Sequence, residues 1–86
     1  MTEKVLTVFR TKSSKEGKVA SDLVRNSNLG LDADCIQTVY IEEQPAIATF
    51  FRILVSPTLI LFEEGEEQRR YEGLISLPSL REFIAN

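Results

Sequence analysis

The stretch Val55-Ser56-Pro57-Thr58-Leu59-Ile60-Leu61-Phe62-Glu63-Glu64-Gly65-Glu66 organises the reading of the whole chain. Thr58 to Phe62 is a short apolar run with β-branched and aromatic members, opened by a proline and closed by acids, which predicts a buried strand. Glu64-Gly65-Glu66 follows as a tight turn. Gln68 to Tyr71 then returns antiparallel, completing a hairpin.

Working outward, Val5, Leu6, Val8 and Phe9 place a first strand at residues 4–10. Ser13-Ser14-Lys15-Glu16 matches the S-x-x-E capping box with Ser13 as N-cap. Val19, Ala20, Leu23 and Val24 then follow the rhythm of one helix face. That helix is expected to end near Asn28, with Gly30 supplying a left-handed turn. Gly17 in its first turn reads as a weak spot, costing up to about 1 kcal/mol against Ala. Cys35 to Ile41 is the second strand. Pro45 suits the first position of a short helix, where its missing N–H leaves no gap, and Ile47, Phe50 and Phe51 supply that helix's apolar face. A last helix begins at Ser76-Leu77-Pro78 and presents Leu80, Phe83 and Ile84.

The order is βαβ, then α, then ββα. A strand–helix–strand crossover makes the first two strands parallel, and the hairpin makes the last two antiparallel. The expected architecture is α/β: one domain over 1–86, with a mixed four-stranded sheet and helices on both faces.

Composition narrows the function classes. The chain has 86 residues, no His, no Trp and one Cys. The commonest general base and metal ligand is missing. A single Cys cannot build an internal disulfide, a CxxC couple or a four-ligand zinc site. No catalytic residue, metal site or cofactor is therefore assigned. No apolar run approaches the length of a membrane span, and the N-terminus lacks the order of a signal peptide, so the expected location is cytoplasmic. Net charge is −3 and unevenly spread. Residues 1–31 carry six bases and three acids, against four bases and ten acids in 32–86. Arg10, Lys12, Lys15 and Lys18 form a basic cluster, and Glu63, Glu64, Glu66 and Glu67 an acidic one.

The segment from Val55 to Glu66 resembles the thioredoxin superfamily, whose pattern there is an apolar residue, one residue, Pro-Thr, a buried strand and a Gly turn. Ile41-Glu42-Glu43-Gln44-Pro45 and Phe51-Arg52-Ile53 are similar to the family's passage from second strand through second helix. Tyr71-Glu72-Gly73 and residues 76–84 are similar to its last strand, glycine and terminal helix. The resemblance covers nearly the whole chain, at the short, glutaredoxin-like length. It implies a thioredoxin fold with a cis Ser56-Pro57 bond, an isomer found at only about 5–6% of X–Pro bonds in folded proteins. The stretch from Gln44 to Pro57 also resembles thioredoxin-like domains of the cyanobacterial clock, which lack the dithiol and work by binding partners.

Against the family pattern, the two CxxC positions fall on Ser14 and Gly17, the buried Asp on Val8, and the Trp before the first Cys on Ser13. A serine hydroxyl without a base cannot replace a thiolate. Cys35 lies far from this turn, beside Asp32 and Asp34, so its pKa is not expected to be lowered. What the resemblance leaves is a binding face: Lys12, Ser13, Ser14, Lys15, Gly17 and Lys18 at the first strand–helix turn, Ser56 and Pro57, then Gly73 and Leu74. The first reading is a redox-inactive module binding a protein or extended peptide there, an acidic one if the lysines and helix start attract it. The alternative is an enzyme, either a Cys35-dependent thiol oxidoreductase or a glutathione-using transferase. A third reading is a homodimer formed by an exposed apolar helix face. Nucleic acid fits poorly, because no aromatic residue interleaves the basic cluster.

Overall fold

The computed structural model describes residues 3–85. Its elements are β1 (Lys4–Arg10), α1 (Lys15–Asn26), a 3-10 turn (Ala33–Cys35), β2 (Ile36–Tyr40), α2 (Pro45–Phe50), β3 (Thr58–Glu63), β4 (Glu66–Glu72) and α3 (Leu77–Ala85). The sheet runs β2-β1-β3-β4. β1 and β2 are parallel, with Leu6 opposite Ile36 and Arg10 opposite Tyr40. β3 is antiparallel to both β1 and β4. The βαβ-α-ββα order and the mixed sheet match the sequence expectation.

Side chains alternate across a strand, and this alternation divides the interior into two layers. Leu6 and Val8 of β1, with Leu59 and Leu61 of β3, form one cluster with Ala20 and Val24 of α1 and Leu80 and Ile84 of α3. The intervening residues point the other way. There Phe51, just after α2, meets Phe9 and Phe62 at ring-centroid distances of 6.0 and 5.3 Å. Helices therefore lie on both faces, two against one and a single short one against the other.

Four local expectations for α1 change. The N-cap of α1 is Ser14, not Ser13: its Oγ accepts the Gly17 N–H at 2.9 Å, and Ser13 is exposed. The third helical position is consequently Gly17, so Glu16 cannot close a capping box. The buried face of α1 is Gly17, Ala20, Ser21 and Val24, while Val19 is 57% exposed. Small residues at 17 and 21 let the helix settle close to the sheet. A Cβ at Gly17 would stand 2.9 Å from Arg10 Cβ, so this glycine is required by close packing and is not a weak spot. The helix stops at Asn26, because Ser27 is extended; Gly30 then takes the expected positive φ of 73°.

Cys35 closes the 3-10 turn, donating its N–H to Asp32 O, so β2 begins one residue later than expected. Pro45 does open α2. Within α2, however, Ala48 is buried, whereas Ile47 and Phe50 are exposed. Six residues make fewer than two turns, which is too short to turn three large side chains inward. Arg52 ends the helix in the left-handed region (φ 55°), with Ile53 N–H donating to Ala48 O in a Schellman-type closure. At the hairpin both Glu64 and Gly65 have positive φ, 53° and 81°. That two-residue turn matches the strand twist, so pairing starts at once with Glu63 opposite Glu66 and β4 is longer than expected.

Candidate functional site

The C-terminal end of β1 brings three chain segments together. The first is the turn from Thr11 to Ser14. The second is the loop before β3, where the Ser56-Pro57 bond is cis, as the resemblance implied. The third is the Gly73-Leu74 loop after β4. Thr11 N–H donates to Ser56 Oγ at 3.0 Å, joining the first two. Gly73 N–H donates to Pro57 O at 2.8 Å, joining the second and third. Thr58 Oγ1 donates to Val55 O at 2.6 Å and closes the loop onto the strand. Among the described residues, the Ser56 backbone N–H and C=O have no hydrogen-bond partner. The surroundings are apolar and open, with Leu54 86%, Leu74 52% and Val55 40% exposed.

Ser14 is committed to capping α1. Capping leaves the N–H groups of Lys15 and Glu16 unpaired by the helix, as at any helix start. Gly17 lies beneath Arg10 with no space for a side chain.

The basic cluster does not act as one field. Arg10 is buried, with Nε donating to Thr11 O at 3.1 Å and Nη2 to Lys12 O at 3.0 Å. Lys12 forms an ion pair with Glu43, and its backbone N–H donates to Glu42 Oε2 at 3.0 Å. The hydrogen bond and charge of Glu43 raise the Lys12 pKa, and the Lys12 N–H lowers that of Glu42. Lys18 pairs with Asp22 at 3.0 Å, one helical turn away. Lys15 is exposed and forms no ion pair among the described residues.

Cys35 is at the opposite end of the sheet, one residue before the Ile36–Leu6 pair. Desolvation raises its pKa, and the nearby charges of Glu3, Asp32 and Asp34 act in the same direction. The acidic hairpin tip lies at this end too, where Glu64 N–H donates to Glu3 O.

Lys12, Ser13, Ser14 and Lys15 thus sit on one turn, with Ser56, Pro57, Gly73 and Leu74 linked to it through Thr11. Lys18 points elsewhere, toward Asp22. Sequence reasoning passed over Thr11, Glu42 and Glu43. Thr11 and Ser56 are 45 residues apart, and Lys12 and Glu42 are 30 apart, so no local pattern could pair them.

No protein-family profile matches the chain, and neither does any curated protein sequence. Solved structures do. A mutant thioredoxin from Halobacterium salinarum superimposes with a TM-score of 0.83 at 24% identity, covering 95% of this chain and 72% of that one. Thioredoxin from Fasciola hepatica gives 0.82 at 16% identity, over 96% of this chain and 79% of that one. A structure described only as a malarial protein gives 0.79 at 19% identity, over 96% and 94%. No described helix is long and apolar enough to cross a membrane. At these identities the shared property is the path of the backbone, and on that ground the chain has a thioredoxin fold.

Proposed function

We propose that this chain is a redox-inactive, thioredoxin-fold binding module that takes an extended protein segment against the Ser56 loop. The observation that carries the reading is the unpaired Ser56 backbone, held in place by Thr11 and Gly73 and rimmed by Val55, Leu54 and Leu74. A fixed backbone donor and acceptor recognise another backbone by strand-like pairing, and flanking apolar side chains supply affinity. A groove of about 430 Å³, lined by Ile41, Pro45, Ala48 and Ile53, opens beside Leu54 and extends the apolar surface.

Electrostatics shape the partner. With Lys12 neutralised by Glu43 and Lys18 by Asp22, little free positive charge faces the loop. The preferred segment is apolar, and acidity is secondary. Thiol chemistry at Cys35 is disfavoured by its raised pKa and by its place at the other end of the sheet.

Selection from a random-peptide library, followed by amide-shift mapping of the enriched peptides, tests this. Shifts should centre on Thr11, Ser56 and Leu74 and vanish in Leu74→Glu, an exposed position whose substitution leaves the core alone. Enriched peptides that map elsewhere, or bind Leu74→Glu equally well, would sink the reading.

A further inference from the structure

A second cavity, of about 360 Å³, lies between α1 and β2 and is independent of the Ser56 loop reading. One stripe of α1 forms its first wall: Lys18, Ser21, Asp22 and Arg25, spaced three and four residues apart and therefore on one side of the helix. The other wall comes from the sheet, where the register sets Arg10 beside Tyr40. Arg10 Cζ and Lys12 Nζ each lie 5.5 Å from the centre of the Tyr40 ring, stacked as cations over an aromatic face. Four of the chain's ten bases thus line one cavity; Lys12 is paired with Glu43 and Lys18 with Asp22, so among the described residues its charge without an ion pair is that of Arg10 and Arg25.

Ser21 provides a second, separate sign. It is 6% exposed, and its Oγ has no hydrogen-bond partner among the described residues. Buried hydroxyls are nearly always satisfied, so an orphan beside a cavity points to a group that completes it. Arg25 forms no ion pair among the described residues, which leaves its planar fork of donors available. The cavity therefore offers lysine and arginine donors above a buried serine hydroxyl, and these match the several acceptor oxygens and the high charge of a phosphate group.

We propose that the α1–β2 cavity binds the phosphate group of a small phosphorylated anion, with Arg25, Lys18 and Ser21 as its donors. Asp22 opposes binding: it repels the anion and occupies Lys18.

The test uses the full chain, isotope-labelled, titrated at low ionic strength with inorganic pyrophosphate, inorganic phosphate and, as a control, citrate. Pyrophosphate should give saturable amide shifts at Ser21, Asp22, Arg25 and Tyr40. Arg25→Ala should weaken binding about tenfold, the scale of losing a charge-assisted contact. Ser21→Ala should keep the fold, since it removes an orphan hydroxyl, and still lower affinity. Asp22→Asn should tighten binding several-fold. Lys15→Ala, outside the cavity, should change nothing. Tighter binding of inorganic phosphate than pyrophosphate would assign the site to the free ion and overturn the phosphorylated-anion proposal. Non-saturating shifts, shifts centred on Lys15 and Glu16, citrate binding as tightly as pyrophosphate, or no gain in Asp22→Asn would each overturn it as well.

Discussion

On one face of the sheet, Leu6, Val8, Leu59 and Leu61 meet two helices, and every member of that cluster is at most 7% exposed. On the other face, Phe9, Ile60 and Phe62 are covered mainly by the end of a six-residue helix, whose own Phe50 stays 79% exposed. The first face is closed by shape, with small residues drawing α1 in. The second is held partly by polar stitching: Arg70 of β4 donates to Phe51 O at 2.7 Å while gripped by both carboxylate oxygens of Glu67. Both faces bury sheet residues, Phe9 and Ile60 being 1% and 0% exposed on the second, but only the first is covered by two long helices. The second keeps apolar surface open beside the Ser56 loop.

The largest effect should come from Leu61→Ala on the closed face. It removes a fully buried side chain and should cost about 2–5 kcal/mol in urea unfolding. A smaller loss would mean that this face can collapse into the space and is not the rigid one.

Gly17→Ala sharpens the same point with the opposite operation. In an ordinary helix the change stabilises, but here the new Cβ meets Arg10 Cβ and Ser14 Oγ at 2.9 and 3.1 Å. A loss of about 1–3 kcal/mol is expected from overpacking. Arg10→Ala in the same chain keeps that Cβ and removes only the contact to Nε at 3.2 Å, so most of the loss should remain; a full recovery would mean that the clash is with the guanidinium end and not with Cβ.

The stitched face predicts a pH dependence. The Arg70 hydrogen bond holds the Glu67 carboxyl below its ordinary value. A depressed carboxylate contributes stability that is fully present above its unfolded pKa, about 4.3, and is lost as pH falls through the folded value. Glu67→Gln should therefore lower the urea midpoint at pH 7, and the gap to the wild type should close as pH drops below about 4. A gap that stays constant with pH would show that the charge is irrelevant there. The smallest effect belongs to Phe50→Ser, expected within about 0.5 kcal/mol because the ring is already in water. A large loss would show that the open face is better covered than its exposure indicates.

Much of the fold was legible because its signals are local. The apolar run at Thr58 to Phe62, the two-residue turn at Gly65, Pro45 at a helix start and Gly30 after a helix each act through nearest neighbours. The orientation of the helices was less legible. Val19 fits a helical period, yet the structure leaves it exposed and buries Gly17 and Ser21 beside Ala20 and Val24, with Leu23 partly buried against the core, since close approach to the sheet rewards small residues that a hydrophobicity pattern ignores. That the chain holds no dithiol couple was plain from its single Cys. The partners of Lys12 and Ser56 were not, since they come from residues 30 and 45 positions away.

Element order, strand directions and the presence of one Cys, too few for a dithiol couple, follow from the chain alone, because turn chemistry, periodicity and composition can be read without the fold. Only the tertiary structure decided that Lys12 is neutralised, that Ser14 caps a helix, and that Arg10, Lys18 and Arg25 gather around one cavity with Ser21. Those outcomes depend on which distant groups the sheet register and helix docking bring within a few ångströms. Electrostatics and packing act over such distances, whatever the separation along the chain.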